Sequence, residues 1–257
     1  MNTDLRGADP QLVREAFETA TPLPGTAGFA GQVGGQLVRD VLGRQPLFVE
    51  EDADDWSFDR SALDDPRPLP AGHVRARGDE RRVWSLPDPP PTADHEAAVG
   101  AVRETLDASL DVSTDGLAVA FSGGVDSALL AATLDAPLYT VGFPDSHDLD
   151  AARSGADLLG RDLRVVELDH ATLERAVPAV ARATGRTNAM DVQIALPLYV
   201  VAQQVASDGF DRLALGQGAD ELFGGYAKVA KAPDDPRVEA DTVRGARREV
   251  LETVPDQ

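Results

Sequence analysis

Apolar residues recur at helical spacing close to the N-terminus, where Leu12, Val13, Ala16, Phe17 and Ala20 form a stripe behind Asp9-Pro10. An acidic cap followed by proline in the first turn starts a helix, so a short amphipathic helix is expected to end near Thr21. From residue 25 to about residue 84 the pattern changes to short apolar runs such as Gln36-Leu37-Val38-Arg39 and Pro46-Leu47-Phe48-Val49, punctuated by glycine and proline. These read as strands joined by turns. Residues 87–91 hold four prolines around Asp88. Such a stretch continues neither helix nor strand, and a linker is expected there.

Beyond it, Thr92 can cap a helix whose apolar positions Val99, Val102, Leu106 and Leu110 lead into the buried run Leu117-Ala118-Val119-Ala120-Phe121. Further short runs at 138–143, 163–168 and 212–215 alternate with helical stretches at 126–134, 150–159, 172–183 and 191–207. Pro197 either starts or kinks the last of these. A final helix is expected over 242–253, capped by Asp241, with Val243, Ala246, Val250 and Leu251 on its apolar face. Strand and helix alternation of this kind predicts a parallel sheet covered on both faces. The expected fold is α/β, a doubly wound parallel sheet preceded by a small β-rich domain. Its divisions are 1–86 for the short helix and β-rich region, 87–91 for the linker and 92–257 for the α/β domain.

Composition narrows the function. The chain has 257 residues and 42% apolar content, enough for a packed core. With 24 basic and 44 acidic residues its formal charge is -20, which repels nucleic-acid phosphates and anionic lipid. Lys228 and Lys231 are the only lysines, and the acidic residues are scattered, as on proteins of a high-salt cytoplasm where ions screen self-repulsion. No cysteine is present, which excludes disulfides, thiolate metal sites and a cysteine nucleophile. His73, His95, His147 and His170 are too dispersed to suggest zinc. No apolar run approaches the ~20 residues that span a bilayer, and the N-terminus does not look like a signal peptide. A cytoplasmic protein without nucleic-acid or membrane partners is expected.

Two glycine-rich loops carry the candidate chemistry. Ser122-Gly123-Gly124-Val125-Asp126-Ser127 follows the run ending at Phe121, at the strand ends where doubly wound sheets bind ligands. Gly123 and Gly124 permit close backbone approach, and the amides of 125–127 open a helix whose dipole favours an anion. Ser122 and Ser127 can add hydroxyl donors. Asp126 would repel a phosphate unless a divalent cation lies between them, which makes it a candidate magnesium ligand. The loop lacks Walker A spacing and its Lys-Ser/Thr, so it suits a released pyrophosphate better than a transferred γ-phosphate. A plain Gly-Gly turn at a helix start is the bland alternative. The second run, Gly216-Gln217-Gly218-Ala219-Asp220-Glu221-Leu222-Phe223-Gly224-Gly225-Tyr226, also follows a short strand. Parallel order brings Asp220 and Glu221 to the sheet edge that bears Asp126. Carboxylates there would hold magnesium on the ATP phosphates, with a capped helix as the alternative.

The first loop resembles the SGG-x-DS pyrophosphate loop of the ATP pyrophosphatases, and the second resembles the second signature of asparagine synthetases. The likeness covers about 92–232. It implies an adenine nucleotide alpha hydrolase-like fold with ATP and Mg2+ as cofactors. Phe121, Ser122, Gly123, Gly124, Val125, Asp126, Ser127, Val141, Gly142, Gly216 and Gly218 would bind the nucleotide, with adenine on the backbone of Val141 and Gly142. Asp126 and Asp220 would hold the metal. Asp126, Asp220, Glu221, Gln217 and Lys228 would form the catalytic set. Aspartate would be adenylated on its side-chain carboxylate, and ammonia would displace AMP to give asparagine.

Arg39-Asp40-Val41-Leu42-Gly43-Arg44-Gln45-Pro46-Leu47-Phe48 and Leu69-Pro70-Ala71-Gly72-His73 resemble segments of the glutaminase domain of the same enzymes; ordinary hairpins read the same way. Without a cysteine that domain would be a remnant, with free ammonia or a separate glutaminase partner as the nitrogen source; a homodimer is the other partnership expected. Gln217 stands where these enzymes usually have glutamate, and Arg186-Thr187-Asn188-Ala189-Met190-Asp191 replaces their Asp-Glu-Pro region. Ending at Gln257, the chain is expected to be a fragment, to be completed by a partner, or to use Lys228 or Lys231 as the basic residue at the phosphate. A different carboxylate substrate, as in β-lactam synthetase, and a non-catalytic ATP-binding subunit are the remaining readings.

Overall fold

A computed structural model describes residues 4–22, 28–51, 54–88, 90–184, 186–232 and 234–252. Contacts divide the chain into two compact units, Met1–Pro90 with Asp220–Gln257, and Pro91–Ala219. The division falls within the proline-rich stretch and again inside the second glycine-rich loop.

The first unit opens with β1 (Leu5–Arg6), α1 (Pro10–Thr19), β2 (Ala30–Val33), β3 (Gln36–Arg39), β4 (Phe48–Glu50), β5 (Trp56–Ser57), β6 (Pro66–Pro68), β7 (His73–Ala76) and β8 (Asp79–Arg82). An antiparallel sheet in the order β1-β2-β3-β7-β8 accompanies a smaller one, β5-β4-β6. Neighbouring residues of β3 serve opposite faces, as the pleat requires. Val38 joins Val13, Phe29, Val74 and Trp84, whereas Leu37 joins Leu47, Val49 and Leu69. Asp9 caps α1 by accepting from the amides of Gln11 and Leu12 at 2.8 and 3.2 Å. The expected stripe on this helix buries Val13 and Ala16 and leaves Leu12 exposed. Trp84 lies edge-on to Phe29, with centroids 5.4 Å apart.

Arg39 and Asp40 hold the turn after β3. Arg39 donates to the carbonyls of Leu69, Gly43 and Gln45 at 2.6, 2.8 and 3.0 Å. Asp40 is fully buried and accepts from the amides of Leu42 and Arg44 and from the Arg44 guanidinium. Gly72 N–H donates to the Asp40 carbonyl at 2.8 Å. The segments around Arg39 and Leu69, remote in sequence, are therefore one hydrogen-bonded corner.

The second unit contains α2 (His95–Leu110), β9 (Leu117–Ala120), α3 (Val125–Thr133), β10 (Leu138–Gly142), α4 (His147–Leu159), β11 (Leu163–Glu167), α5 (His170–Thr184), α6 (Ala189–Ser207) and β12 (Arg212–Ala214). Its strands are all parallel in the order β11-β10-β9-β12. Leu117, Val119 and Phe121 pack with Ala131, Ala152 and Ala156 from the side of α3 and α4. Ala118 and Tyr139 pack with Val201 and Val205 of α6 on the opposite face. Apolar residues on both faces explain why β9 reads as a continuous run rather than an alternation.

Several boundaries move from their expected places. Asp94, not Thr92, caps α2 by accepting from Ala97 N–H at 2.9 Å, and a carboxylate adds a dipole interaction that a hydroxyl lacks. Ser146 starts α4 before residue 150. Pro197 lies inside α6, which Asn188 caps through Asp191 N–H at 2.9 Å.

The first unit also takes in the rest of the chain, with α7 (Ala219–Phe223) crossing the division, then α8 (Ala227–Lys231), a 3₁₀ turn at Pro236–Asp241 and α9 (Val243–Glu252). Thr242, not Asp241, caps α9 by accepting from Gly245 N–H at 3.1 Å. Asp241 ends the 3₁₀ turn and pairs with Lys228 instead. Ala246 is buried and Val243 exposed. The Val250 and Leu251 side chains, Thr253 and the start of the expected β-rich region at Gly25 fall outside the described residues.

Candidate active site

The loop 122–127 joins β9 to α3, and its geometry follows from its glycines and serines. Gly123 sits at φ +79, and a Cβ there would lie 2.5 Å from the carbonyl oxygen of Ala151 in α4. Only glycine satisfies both conditions. Gly124 is the N-cap of α3 and makes no side-chain cap bond, so the first amides of α3 have no side chain to receive them. Two observations suit this segment to an anion: uncapped helix amides and a glycine backbone with no side chain in front of it. Ser127 is only 5% exposed. Its hydroxyl accepts from Ser122 N–H at 3.2 Å and donates to the Gly124 carbonyl at 3.0 Å. That hydroxyl closes the loop on itself, while Ser122 contributes the more open hydroxyl, 3.2 Å from that of Ser127.

Parallel pairing of β12 with β9 brings the start of the second glycine-rich loop beside the first. A Cβ at Gly216 would come within 3.0 Å of Asp126 Cβ and 3.1 Å of Ser127 N. Gly216 is thus the residue that lets the two loops touch. Gln217 is exposed, and Gly218 follows in the left-handed region at φ +96. Phe121 is 2% exposed, so its side chain is core and only its backbone adjoins the loop. Val141 is half-buried, and Gly142 is buried, where a Cβ would lie 2.9 Å from Leu149 Cγ. Val125 is exposed at the helix start.

The remainder of the second loop belongs to the first unit. Asp220 and Glu221 occupy the first turn of α7. A Cβ at Gly225 would collide with Asp220 Oδ1 at 2.1 Å, which accounts for glycine there. The Tyr226 hydroxyl donates to Glu221 Oε1 at 2.6 Å. That carboxylate, followed by burial, pushes the Tyr226 phenol up to about 12. Lys228 lies 5.1 Å over the Tyr226 ring and 2.6 Å from Asp241. The glycine-rich run contains both Glu221 and Tyr226 but gives no sign that they bond, and Lys228 and Asp241, which extend the chain, lie beyond it.

Among the described residues, neither Asp126 nor Asp220 has an ion pair or a donor to its carboxylate. No group of three His, Cys, Asp or Glu among those residues is placed to hold a metal unaided. A single free carboxylate beside an anion-binding loop fits magnesium, which is usually held by one or two carboxylates together with substrate phosphates and water. Also among the described residues, no helix is long and apolar enough to cross a membrane.

A parallel sheet with helices on both faces and a glycine-rich anion loop at its strand ends defines the doubly wound class whose ligands lie at that edge. A model of the Asparagine synthase family matches residues 101–254, more than half of the chain, and the chain belongs to that family. A Methanocaldococcus jannaschii protein provisionally named glutamine-hydrolyzing asparagine synthetase 1 is 36% identical over 144 residues, 52% of this chain and 27% of that protein. Glutamine-hydrolyzing asparagine synthetase 3 of Arabidopsis thaliana is 28% identical over 244 residues, 80% of this chain and 40% of its own length. The chain thus spans at most about two fifths of these relatives. Among solved structures, a predicted subunit of tRNA methyltransferase from Methanocaldococcus jannaschii aligns with a TM-score of 0.28 at 25% identity, covering 40% of this chain and 53% of that one.

Proposed function

We propose that the chain is the ATP-binding part of an asparagine synthetase-like ligase. The side-chain carboxylate of aspartate attacks the α-phosphate of ATP and releases pyrophosphate. Ammonia then displaces AMP from the acyl adenylate. The observation that carries this reading is the 122–127 loop: uncapped α3 amides, Gly123 in a conformation only glycine adopts freely, and the unpaired Asp126 beside Gly216. The backbone amides of 125–127 that open α3 would receive the departing pyrophosphate, and Ser122, which accepts from Gly124 N–H at 3.3 Å, adds a hydroxyl. Val141 and Gly142 offer their backbone to adenine. Asp126 is the carboxylate beside this loop that would hold magnesium, which when bound would neutralise phosphate charge. Gln217, neutral and exposed, suits a role in orienting a nucleophile by hydrogen bonding rather than by charge. We place the amination with free ammonia or with a glutaminase partner.

Isotope exchange between pyrophosphate and ATP tests the reading. The expected result is exchange that requires both magnesium and aspartate. Exchange driven by another carboxylic acid would transfer the chemistry to that substrate, and absence of exchange with every acid, despite ATP binding, would leave a nucleotide-binding subunit.

A further inference from the structure

Phe143 follows β10 directly and keeps 37% of its surface exposed at the ligand-binding end of the strand. Its backbone is fixed. Ser146 N–H donates to the Phe143 carbonyl at 3.2 Å, closing a turn with Pro144 second and Asp145 third. Asp145 lies at φ +57, the left-handed conformation that aspartate accepts more readily than most side-chain-bearing residues, as the third position of such a turn requires. Pro144 fixes its own φ at the second turn position. The Phe143 ring is backed by the imidazole of His170 at the start of α5, with centroids 5.3 Å apart and planes 45° apart. One helix ties this turn to the phosphate loop. Ser146 caps α4, Leu149 fills the space before Gly142, and Ala151 presses on Gly123.

We infer that the Phe143 ring, held by His170 and the 143–146 turn, is a stacking platform for the purine base of the bound nucleotide. A half-exposed ring on a rigid turn loses little freedom on stacking, and a base has an apolar face that matches it. The turn joins directly onto Gly142, so the platform adjoins the strand end whose backbone serves the base edge. This inference rests on the ATP reading and adds its base-recognition surface.

The test compares ATP with inorganic tripolyphosphate, which lacks the base, by calorimetric titration of the full chain in magnesium. Phe143→Ala should weaken ATP by about tenfold or more, with tripolyphosphate binding within twofold of the parent. Phe143→Trp should restore ATP affinity, because an indole stacks as well as a phenyl ring. Unchanged ATP affinity in Phe143→Ala, or equal losses for ATP and tripolyphosphate, would overturn the platform while leaving ATP binding intact. A parent chain that binds neither compound would instead remove the ATP reading itself.

Discussion

Gly123 and Asp126 show how differently a residue can matter within one short loop. A methyl at Gly123 meets the Ala151 carbonyl at 2.5 Å on a left-handed backbone, so Gly123→Ala should lower stability by roughly 2–4 kcal/mol and abolish pyrophosphate exchange. Asp126 carries no structural bond among the described residues. Asp126→Asn should therefore leave the thermal midpoint within about 2 °C of the parent while cutting exchange on the order of 10²–10³-fold. Midpoints from circular dichroism set against exchange rates separate the two cases. The glycine pair and Asp126 were legible in sequence because the pattern of the loop itself marks them, although the Ala151 contact that demands glycine at 123 was not. Gly155 was not legible either, since Phe121, which constrains it, is brought near only by folding. Tyr226 gives a further case with a definite sign. Its phenol is raised to about 12 in the fold and has an ordinary value near 10 when unfolded. The contribution of the Glu221 bond is complete below pH ~10 and is lost as pH rises through about 12. Absorbance titration at 295 nm should show a high-pH phenolate step that Tyr226→Phe removes, and the same substitution should flatten the loss of stability between those pH values.

Elements were read most reliably where a local signal and tertiary packing agree. Gln36–Arg39 is a strand as expected because its alternate faces meet two separate cores. β9 is a strand because both its faces are covered. Helix starts were read less well wherever two capping residues compete. Thr92 gave way to Asp94 and Asp241 to Thr242, and the winner was decided by which side chain reaches a free amide. The corner after β3 was visible only as two turn-like segments, since its hydrogen bonds span thirty positions in the case of Arg39 and Leu69. That corner supports a prediction for the first unit. Arg39→Lys retains the charge but has a single ammonium where a planar fork meets carbonyls from three residues. It should destabilise the unit by about 2–4 kcal/mol, read as a lowered urea midpoint. Arg39→Met should cost at least as much, because it removes every donor. If both variants unfold at the parent midpoint, the corner contributes nothing to stability.

At the scale of the whole molecule, the dominant unlocalised quantity is charge. Subtracting 44 acidic from 24 basic residues leaves -20, and that sum was available before any fold was known. What the sequence could not supply was how the cations are used. Several arginines are committed to fixed partners: Arg67 bridges Glu51 and Glu80, Arg164 meets Asp208, and Arg161 donates to the carbonyls of Ala131, Leu134 and Ala136. Arg67 and Arg164 neutralise their immediate neighbours while Arg161 serves neutral carbonyls, which leaves the remaining carboxylates to repel one another. Two opposed salt effects follow. Screening weakens the exposed pairs, each contributing at most about 1 kcal/mol, and also weakens the long-range repulsion among the unbalanced carboxylates. The second effect should win because the excess acidic charge exceeds the number of strong pairs and acts over distances that a Debye length of about 30 Å at 0.01 M leaves unscreened. Raising potassium chloride from 0.01 to 1 M should therefore raise the unfolding midpoint by several degrees, equivalent to about 1–2 kcal/mol. Sodium chloride should act in the same way, since screening depends on ionic strength and not on the cation. With two compact units, each transition must be followed separately by calorimetry. A midpoint that falls with salt in both transitions would show that the local arginine pairs, and not the summed charge, set the electrostatic stability of the chain.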